Sequence, residues 1–204
     1  MKVIGILGSP RRGGNSEILL DRALEAGQSQ GLQIKKLILN EMNLKPCREC
    51  LSCARDGKCA VNDDMQLIYR QLDQADRLII ASPIFFGSLS AQLKAMVDRY
   101  QCRWQARYTL GAEPAKGKKG FLILVSATNR EKFFQNAESI VKNLFAVLGI
   151  EFSGRVYCPD CDQKARVLKH KDCLKQAFAL GKTIAKNTLL LMLGYVNLLG
   201  LWIS

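Results

Sequence analysis

The chain has 204 residues, of which 48% are hydrophobic and 24% charged, and these values exclude a disordered or collagen-like protein. The length suits one α/β domain with a large core and is short for two independent domains. A formal net charge of +12 favours anionic cofactors and acidic partners, whereas 7% aromatic residues and the lack of a finger, helix-turn-helix or RNP-type motif argue against nucleic acid.

The first residues of the chain do not resemble a secretion signal. Their apolar run ends at Gly8, and Arg11 and Arg12 follow closely, so the run is too short for the apolar segment of a signal peptide. We therefore expect a cytoplasmic protein. Because that compartment keeps thiols reduced, the eight cysteines favour metal or redox chemistry over a disulfide scaffold.

Apolar runs and segments of helical periodicity alternate along the chain. Five runs are typical of buried parallel strands, at residues 3–7, 36–39, 77–82, 121–125 and 151–157. Helical spacing follows each run, at residues 16–27, 65–74, 89–103, 132–148 and 172–186. The alternation predicts an α/β fold over residues 1–186: a flavodoxin-like, doubly wound five-stranded parallel sheet of order 2-1-3-4-5 with helices on both faces.

The loop after strand 1, residues 8–16, is suited to receive a phosphate group. Successive backbone N–H groups and a helix N-terminus carry partial positive charge there, while Ser9, Asn15 and Ser16 offer hydrogen bonds and Arg11 adds charge. The Lys and Ser or Thr of a Walker A motif are missing, so a terminal monophosphate is favoured over a nucleoside triphosphate. The alternative is a tight turn in which Ser16 merely caps the helix.

The loop after strand 3 combines apolar side chains with a glycine at the switch point of the sheet. A flat aromatic ring would find apolar contact and backbone donors there. The expected ring contacts are Pro83, Ile84, Phe85, Phe86 and Gly87. The loop after strand 4, which starts at Ser126, is expected to close the third side of the pocket.

The loop after strand 2 holds four cysteines at spacing C-x2-C-x2-C-x5-C: Cys47, Cys50, Cys53 and Cys59. Four thiolates from one compact loop suit a 4Fe-4S cluster. Zinc more often takes its ligands from two separated knuckles, and free redox-active thiols are the third interpretation. We expect this loop, residues 46–62, to lie at the same edge of the sheet as the phosphate loop.

Three segments in this order, GSPRRGGNSEILL, CRECLSCARDGKCAVNDDM and SPIFFGSLSAQLKAMVDR, resemble the iron-sulfur flavoprotein family. That family is a branch of the NADPH-dependent FMN reductase and multimeric flavodoxin group. The resemblance implies FMN, with its phosphate on the loop after strand 1 and its ring on the loop after strand 3, and a 4Fe-4S cluster on the four cysteines. It also implies ferredoxin, an acidic electron carrier, as donor, and a homo-oligomer, a dimer or tetramer, in which the cluster of one subunit approaches the flavin of another.

The predicted function is a redox flavoprotein that passes electrons from a one-electron donor through the cluster to FMN and on to an acceptor that the sequence leaves open. We predict no catalytic side chain, because the chain has a single histidine and the cofactors carry the chemistry. One alternative is an NAD(P)H-dependent FMN or quinone reductase without a cluster. Another is a zinc-stabilised, non-enzymatic binding module.

Several features lie outside these predicted sites. Cys158 and Cys161 form a C-x2-C pair that suits a dithiol or half of a zinc site, but no partner pair is evident nearby in the sequence. We expect Cys102 and Cys173 to be buried thiols and His170 to be exposed.

The C-terminal tail, residues 187–204, contains no charge and is apolar nearly all round. It is shorter than the roughly 20 apolar residues of a membrane span. An oligomer contact or a cover for the core is favoured over attachment to a membrane surface.

Overall fold

The computed structural model describes residues 1–185, and the contact expected of the tail at 187–204 lies outside the described residues. The strands are β1 (Lys2–Leu7), β2 (Gln33–Ile38), β3 (Arg77–Phe85), β4 (Ser88–Leu89), β5 (Lys118–Val125) and β6 (Ile150–Cys158). Five of them form a parallel sheet of order β2-β1-β3-β5-β6, while β4 pairs antiparallel with the end of β3. The predicted order of the five parallel strands is confirmed, and the unpredicted β4 only shifts their numbering.

In the described part of the chain, seven helices surround the sheet: α1 (Asn15–Gln28), α2 (Cys53–Asp56), α3 (Met65–Asp73), α4 (Ala91–Arg99), α5 (Gln101–Tyr108), α6 (Glu131–Leu148) and α7 (Lys171–Ile184). Short 3-10 turns lie at Leu39–Glu41 and Arg166–Lys169. Helices α1 and α7 pack on one face of the sheet, and α3, α4, α5 and α6 contribute to the core on the other. Within residues 1–185, none of the helices combines the length and apolar character that crossing a bilayer requires.

The two cores arise from the alternation of side chains along the central strands. In β1, Ile4 and Ile6 face one core while Val3 and Leu7 face the other, and all four are at most 1% exposed. Burial on both faces is what parallel strands flanked by helices require, and it explains their continuous apolar runs. In the edge strand β2, the half-buried Ile34 lies between the exposed Gln33 and Lys35, so these first three residues form no apolar run and were missed in the sequence.

The single helix predicted at 89–103 is wrong, because two helices, α4 and α5, meet at Tyr100. The Tyr100 amide donates to the Val97 carbonyl, and the Arg103 amide donates to the Tyr100 carbonyl, so the chain tightens locally into three-residue turns. Tyr100 is buried and continues the apolar pattern of the two helices, so the periodicity of the sequence did not reveal the break. The break directs α5 across the cysteine loop.

Candidate functional site

A cavity of about 190 Å³ lies at the carboxyl ends of β1 and β3, the position predicted for the ligand. Seven of the ten predicted cofactor contacts line it: Ser9, Arg11, Asn15, Ser16, Pro83, Ile84 and Phe85. Cys161 and Asp162 close another side of this cavity, although the sequence offered no reason to place them there. The loops after β1, β3 and β6 therefore converge on one site.

Ser90, which the sequence analysis missed, ties the loop after β1 to the start of α4. Its hydroxyl donates to the Gly8 carbonyl at 2.5 Å and accepts from the Leu93 amide at 3.3 Å, so it also caps the helix. The Gly8 amide donates in turn to the Ala81 carbonyl of β3 at 2.8 Å. These bonds fix where the phosphate loop leaves the sheet. A serine just before a helical segment was the available signal.

The Asn15 side chain holds the loop that follows β6. Its amide nitrogen donates to the carbonyls of Cys161 at 3.0 Å and Gln163 at 2.8 Å, and its oxygen accepts from the Val167 amide at 3.1 Å. Both N–H donors of the amide and one lone pair of its oxygen are therefore occupied. Asn15 can therefore serve an anion through its backbone N–H at the start of α1, while its side chain positions the far wall of the cavity.

Glu17 is a buried carboxylate in the first turn of α1 that the sequence analysis also missed. It accepts from the Gly13 amide at 2.7 Å and forms ion pairs with Arg12 at 3.0 Å and Lys36 at 2.9 Å. Burial raises the pKa of Glu17, but the Gly13 amide and the Lys36 ammonium outweigh it and leave this pKa below its ordinary value. The ionised carboxylate thus orders the phosphate loop while its own charge is neutralised.

Three predicted contacts do not line the cavity. Phe86 is fully exposed and has φ 50°, and Gly87 has φ 71°, because these two residues form the turn between β3 and β4. Ser126 is buried, and its backbone bonds the carbonyl of Cys158 at 3.0 Å and the amide of Cys161 at 2.9 Å. Val125 and Ala127, on either side of it, line the cavity instead.

A second cavity, of about 470 Å³, is lined by all four cysteines of the predicted metal loop: Cys47, Cys50, Cys53 and Cys59. The first two are exposed and the other two half-buried. Residues Glu49 and Leu51 have φ 50° and 59°, so the chain curls between the cysteines and turns them towards one space. Four thiols around a cavity of this size fit the donor set of a 4Fe-4S cluster.

The thiols of this loop differ in their surroundings. Hydrogen bonds with Ser52 lower the pKa of the exposed Cys50 thiol, which favours the thiolate that binds metal. Burial raises the pKa of Cys53. Cys102 also lines the cavity from α5, but it is buried and its thiol lies 3.4 Å from the Arg99 carbonyl. The expectation that Cys102 is buried is confirmed.

A buried ion pair closes the base of the cysteine loop. The Arg99 guanidinium contacts both Asp63 carboxylate oxygens, at 2.6 and 3.1 Å, and donates to the carbonyls of Lys45 at 2.8 Å and Val61 at 3.2 Å. Burial raises the pKa of Asp63, but Arg99 and two backbone amides outweigh it and hold this pKa below its ordinary value. Both ends of the loop are thereby joined to α4.

The two cavities share no lining residue in the part of the chain that the structure describes. The cavity at the cysteines borders α4 and α5, whereas the cavity at the ends of β1 and β3 borders the start of α1 and the loop after β6. The cysteine loop and the phosphate loop leave the same edge of the sheet, as expected, and they line separate cavities.

A further group of cysteines corrects three expectations. Cys158 and Cys173 form a disulfide, although the sequence favoured free thiols and a merely buried Cys173. His170 is half-buried and not exposed, and a ring nitrogen lies within 4.8 Å of both sulfurs. The reason is that the end of β6 and the start of α7 fold against each other, which brings together residues 15 positions apart.

The family model for NADPH-dependent FMN reductase matches residues 1–155, including every predicted cofactor and metal position. The chain belongs to the NADPH-dependent FMN reductase family. The resemblance to iron-sulfur flavoproteins seen in the sequence is confirmed by relatives that carry this name. An iron-sulfur flavoprotein of Methanocaldococcus jannaschii is 40% identical over 120 residues, covering 57% of this chain and 62% of that protein.

Another iron-sulfur flavoprotein, from Methanosarcina thermophila, is 38% identical over 99 residues, covering 48% of this chain and 52% of that protein. The chain thus spans between half and two thirds of the length of these two relatives. Among solved structures, an FMN-dependent NADH-azoreductase of Bacillus anthracis in complex with FMN has a TM-score of 0.72 at 17% identity, covering 91% of this chain and all of that one. This likeness shows the flavodoxin-like fold of this FMN reductase family member.

Proposed function

We propose that this chain is a redox flavoprotein that binds FMN in the cavity at the ends of β1 and β3 and a 4Fe-4S cluster on Cys47, Cys50, Cys53 and Cys59. It would take electrons from a one-electron donor such as ferredoxin and pass them through the cluster to FMN and on to an acceptor. The observation that carries the proposal is that all four cysteines line one cavity of about 470 Å³. The names of the two iron-sulfur flavoproteins above support it.

When bound, the cluster accepts single electrons and the flavin stores two, and the chain supplies position and surroundings. At the cysteine loop, Arg99 joins both loop ends to α4, so the thiols of the reduced chain are held around one space. Because Cys53 and Cys59 are half-buried and pack against the core, water reaches that side of the cavity less freely.

At the flavin site, the backbone N–H groups at the start of α1 and the Ser9 and Ser16 hydroxyls would receive the phosphate of FMN. Arg11 is exposed and adds positive charge at the mouth of the cavity. Pro83, Ile84 and the half-exposed Phe85 would contact the flavin ring. Phe86 and Gly87, which do not line the cavity, would act by shaping the turn that presents Phe85.

The surface around the cysteine loop suits an acidic protein donor. Arg48, Arg55 and Lys58 are exposed beside the cysteines, so an acidic carrier would be attracted to this end of the molecule. Exposed apolar side chains lie close to the same loop and on the β3–β4 turn, with Leu51 at 65% and Phe86 at 108% of full exposure. They support the proposal of a homo-oligomer, since large exposed apolar residues are common at contacts between subunits.

A reductase without a cluster remains a second candidate, because the matching family is described as NADPH-dependent. In that case a dinucleotide would deliver hydride directly to the flavin, and the four cysteines would be redox-active thiols. A fold shared with an NADH-azoreductase is consistent with this alternative and shows no more than the fold.

Metal and flavin analysis of the full chain after anaerobic purification tests the proposal. We expect about four iron atoms and four sulfides per chain at this loop, together with FMN. Cys50→Ser should lose most of the iron, whereas Cys102→Ser, which alters a buried thiol on the same cavity outside the loop, should retain it. Flavin without iron would favour the second candidate, and zinc without flavin would favour a binding module.

Electron donors separate the two redox functions. Reduced ferredoxin should reduce the bound flavin much faster than NADPH does, and Cys50→Ser should abolish only the ferredoxin rate. Equal rates with both donors, or a ferredoxin rate that survives loss of the iron, would overturn the proposed electron path.

A further inference from the structure

Four metal-binding side chains from the C-terminal part of the fold converge beside α1, on the face of the sheet opposite the cysteine loop. Cys158 ends β6, Cys161 follows in the next loop, and His170 and Cys173 lie at the start of α7. The three cysteines are at most 6% exposed, and they pack in the core formed by α1 and α7. A disulfide between Cys158 and Cys173 does not account for a third thiol and an imidazole at the same place.

We propose that these residues form a second metal site, which holds one Zn²⁺ through Cys158, Cys161, His170 and Cys173 when the disulfide is reduced. Three thiolates and one imidazole are a ligand set that structural zinc uses, and zinc sites are commonly built from two short knuckles. Here C-x2-C supplies one knuckle and H-x2-C the other. The second knuckle was not evident in the sequence because it contains a single cysteine.

The distances support a site for one ion. Bonds of about 2.3 Å to sulfur and 2.0–2.1 Å to nitrogen place the ligand atoms of a tetrahedral zinc site roughly 3.6 to 3.8 Å apart. The thiols of Cys158 and Cys161 are 3.5 Å apart, and the ligand atoms of Cys158, His170 and Cys173 lie within 4.8 Å of one another. The Cys161 thiol lies outside that group of three, so it would move towards His170 and Cys173 as the disulfide opens and the ion binds. Sulfurs this close leave room for a single ion and not for a four-iron cluster.

Loading of the site requires a reduced chain. A dithiol reductant gives two electrons and its two thiol protons to the Cys158–Cys173 bond, is itself oxidised to a disulfide, and leaves two thiols. Binding of Zn²⁺ then displaces one proton from each of the three thiols, while neutral His170 binds through a ring nitrogen. The resulting site has a net charge of −1, and Arg166, whose charge acts on the Cys161 thiol, offers a nearby positive charge.

Asn15 connects the proposed zinc site to the flavin cavity. Its side chain bonds the carbonyls of Cys161 and Gln163 and the amide of Val167, all within the segment that the metal would fix at both ends. Zinc would therefore stabilise one wall of the cavity without touching the ligand. This role is independent of the cluster on the other face of the sheet, so either proposal can fail alone.

Zinc counting and cobalt spectroscopy test the site in the full chain. Protein purified anaerobically with a reductant should contain about one zinc per chain in addition to any iron. To exclude the other cysteines, a variant with serine at Cys47, Cys50, Cys53 and Cys59 should be reduced and titrated with Co²⁺. We expect one equivalent to bind, with thiolate charge-transfer bands and the visible absorption of tetrahedral cobalt.

Variants of the ligands supply the controls. In that background, Cys161→Ser should weaken Co²⁺ binding at least tenfold, and His170→Asn should shift the visible bands, whereas Cys102→Ser should change neither. His170→Asn alters a half-buried side chain, so its spectrum can be read even if a core cysteine variant fails to fold. No zinc in the purified protein together with no stoichiometric Co²⁺ binding, or binding unaffected by these changes, would overturn the proposal and leave a disulfide beside a buried thiol.

Discussion

Arg99 and Asp63 form a two-point ion pair beneath the cysteine loop, with side chains 1% and 0% exposed. The same guanidinium bonds the carbonyls of Lys45 and Val61, and the same carboxylate accepts from the amides of Lys45 and Met65. The pair therefore joins both ends of the loop to α4 in one network. Such a buried network is costly to break, because the remaining partner is left as an uncompensated charge.

Arg99→Met should destabilise the protein by about 3–5 kcal/mol, because Asp63 stays buried without its partner. Iron content should fall as well, since the loop ends lose their attachment. Urea unfolding at pH 7 and iron analysis measure the two effects. Arg103→Met is the control, because Arg103 pairs with the exposed Asp73, and an exposed pair contributes about 0–1 kcal/mol. Equal losses in the two variants would contradict a special role for Arg99.

Gly57→Ala should displace the cysteine loop from α5. Gly57 has φ 71°, and an added Cβ would lie 2.7 Å from the Cβ of Ala106. Gly111 has φ 73° with nothing within 4 Å of an added Cβ, so Gly111→Ala carries the backbone strain alone, about 1–2 kcal/mol. We expect Gly57→Ala to cost more than this and to lower the iron content, while Gly111→Ala retains iron. Matching iron contents would show that the loop tolerates the shift.

Glu17 should make stability depend on pH in the acid range. Its pKa in the folded chain lies below the ordinary value of about 4.3, so its contribution is complete above that pH and is lost as pH falls through the lowered pKa. The free energy of unfolding of wild type should therefore decrease below about pH 4.3. The profile of Glu17→Gln, measured by urea unfolding between pH 3 and 7, should be flatter. Parallel pH profiles for wild type and Glu17→Gln would show that Glu17 does not cause the loss of stability at acid pH.

Phe85 and Phe86 should differ in their effect on flavin binding, although they are adjacent. Phe85 lines the cavity and is 48% exposed, whereas Phe86 does not line it and is fully exposed. Loss of roughly 1 kcal/mol of apolar contact in Phe85→Ala should raise the Kd for FMN about fivefold. Phe86→Ala should stay within about twofold of wild type in fluorescence titrations. The reverse order would mean that the turn, and not Phe85, contacts the ring.

The parallel sheet was predictable because its central strands are buried on both faces and therefore appear as unbroken apolar runs, such as residues 77–82. The break at Tyr100 was not, because a buried aromatic residue continues the helical pattern while the backbone changes direction. The two-residue strand β4 is too short for any periodicity. Its position depends on the turn at Phe86 and Gly87, which was predicted as a ring contact.

The candidate sites were predictable where one loop supplies the residues and not where distant segments meet. Ser9 to Ser16 and the four loop cysteines are local patterns, so their grouping was expected. The role of the Asn15 side chain was not, because it depends on a loop about 150 positions further along the chain. Likewise, His170 and Cys173 meet Cys158 only after β6 and α7 have packed together.

The sheet separates the cysteines into two groups that cannot meet in the folded protein. Cys53 and Cys59 pack against the core on one face, and Cys158, Cys161 and Cys173 lie in the core on the other. A covalent crosslink between the groups can therefore form only in a chain that was oxidised before its sheet was complete. A chain that carries such a crosslink is therefore misfolded, and its removal selects chains whose sheet has formed.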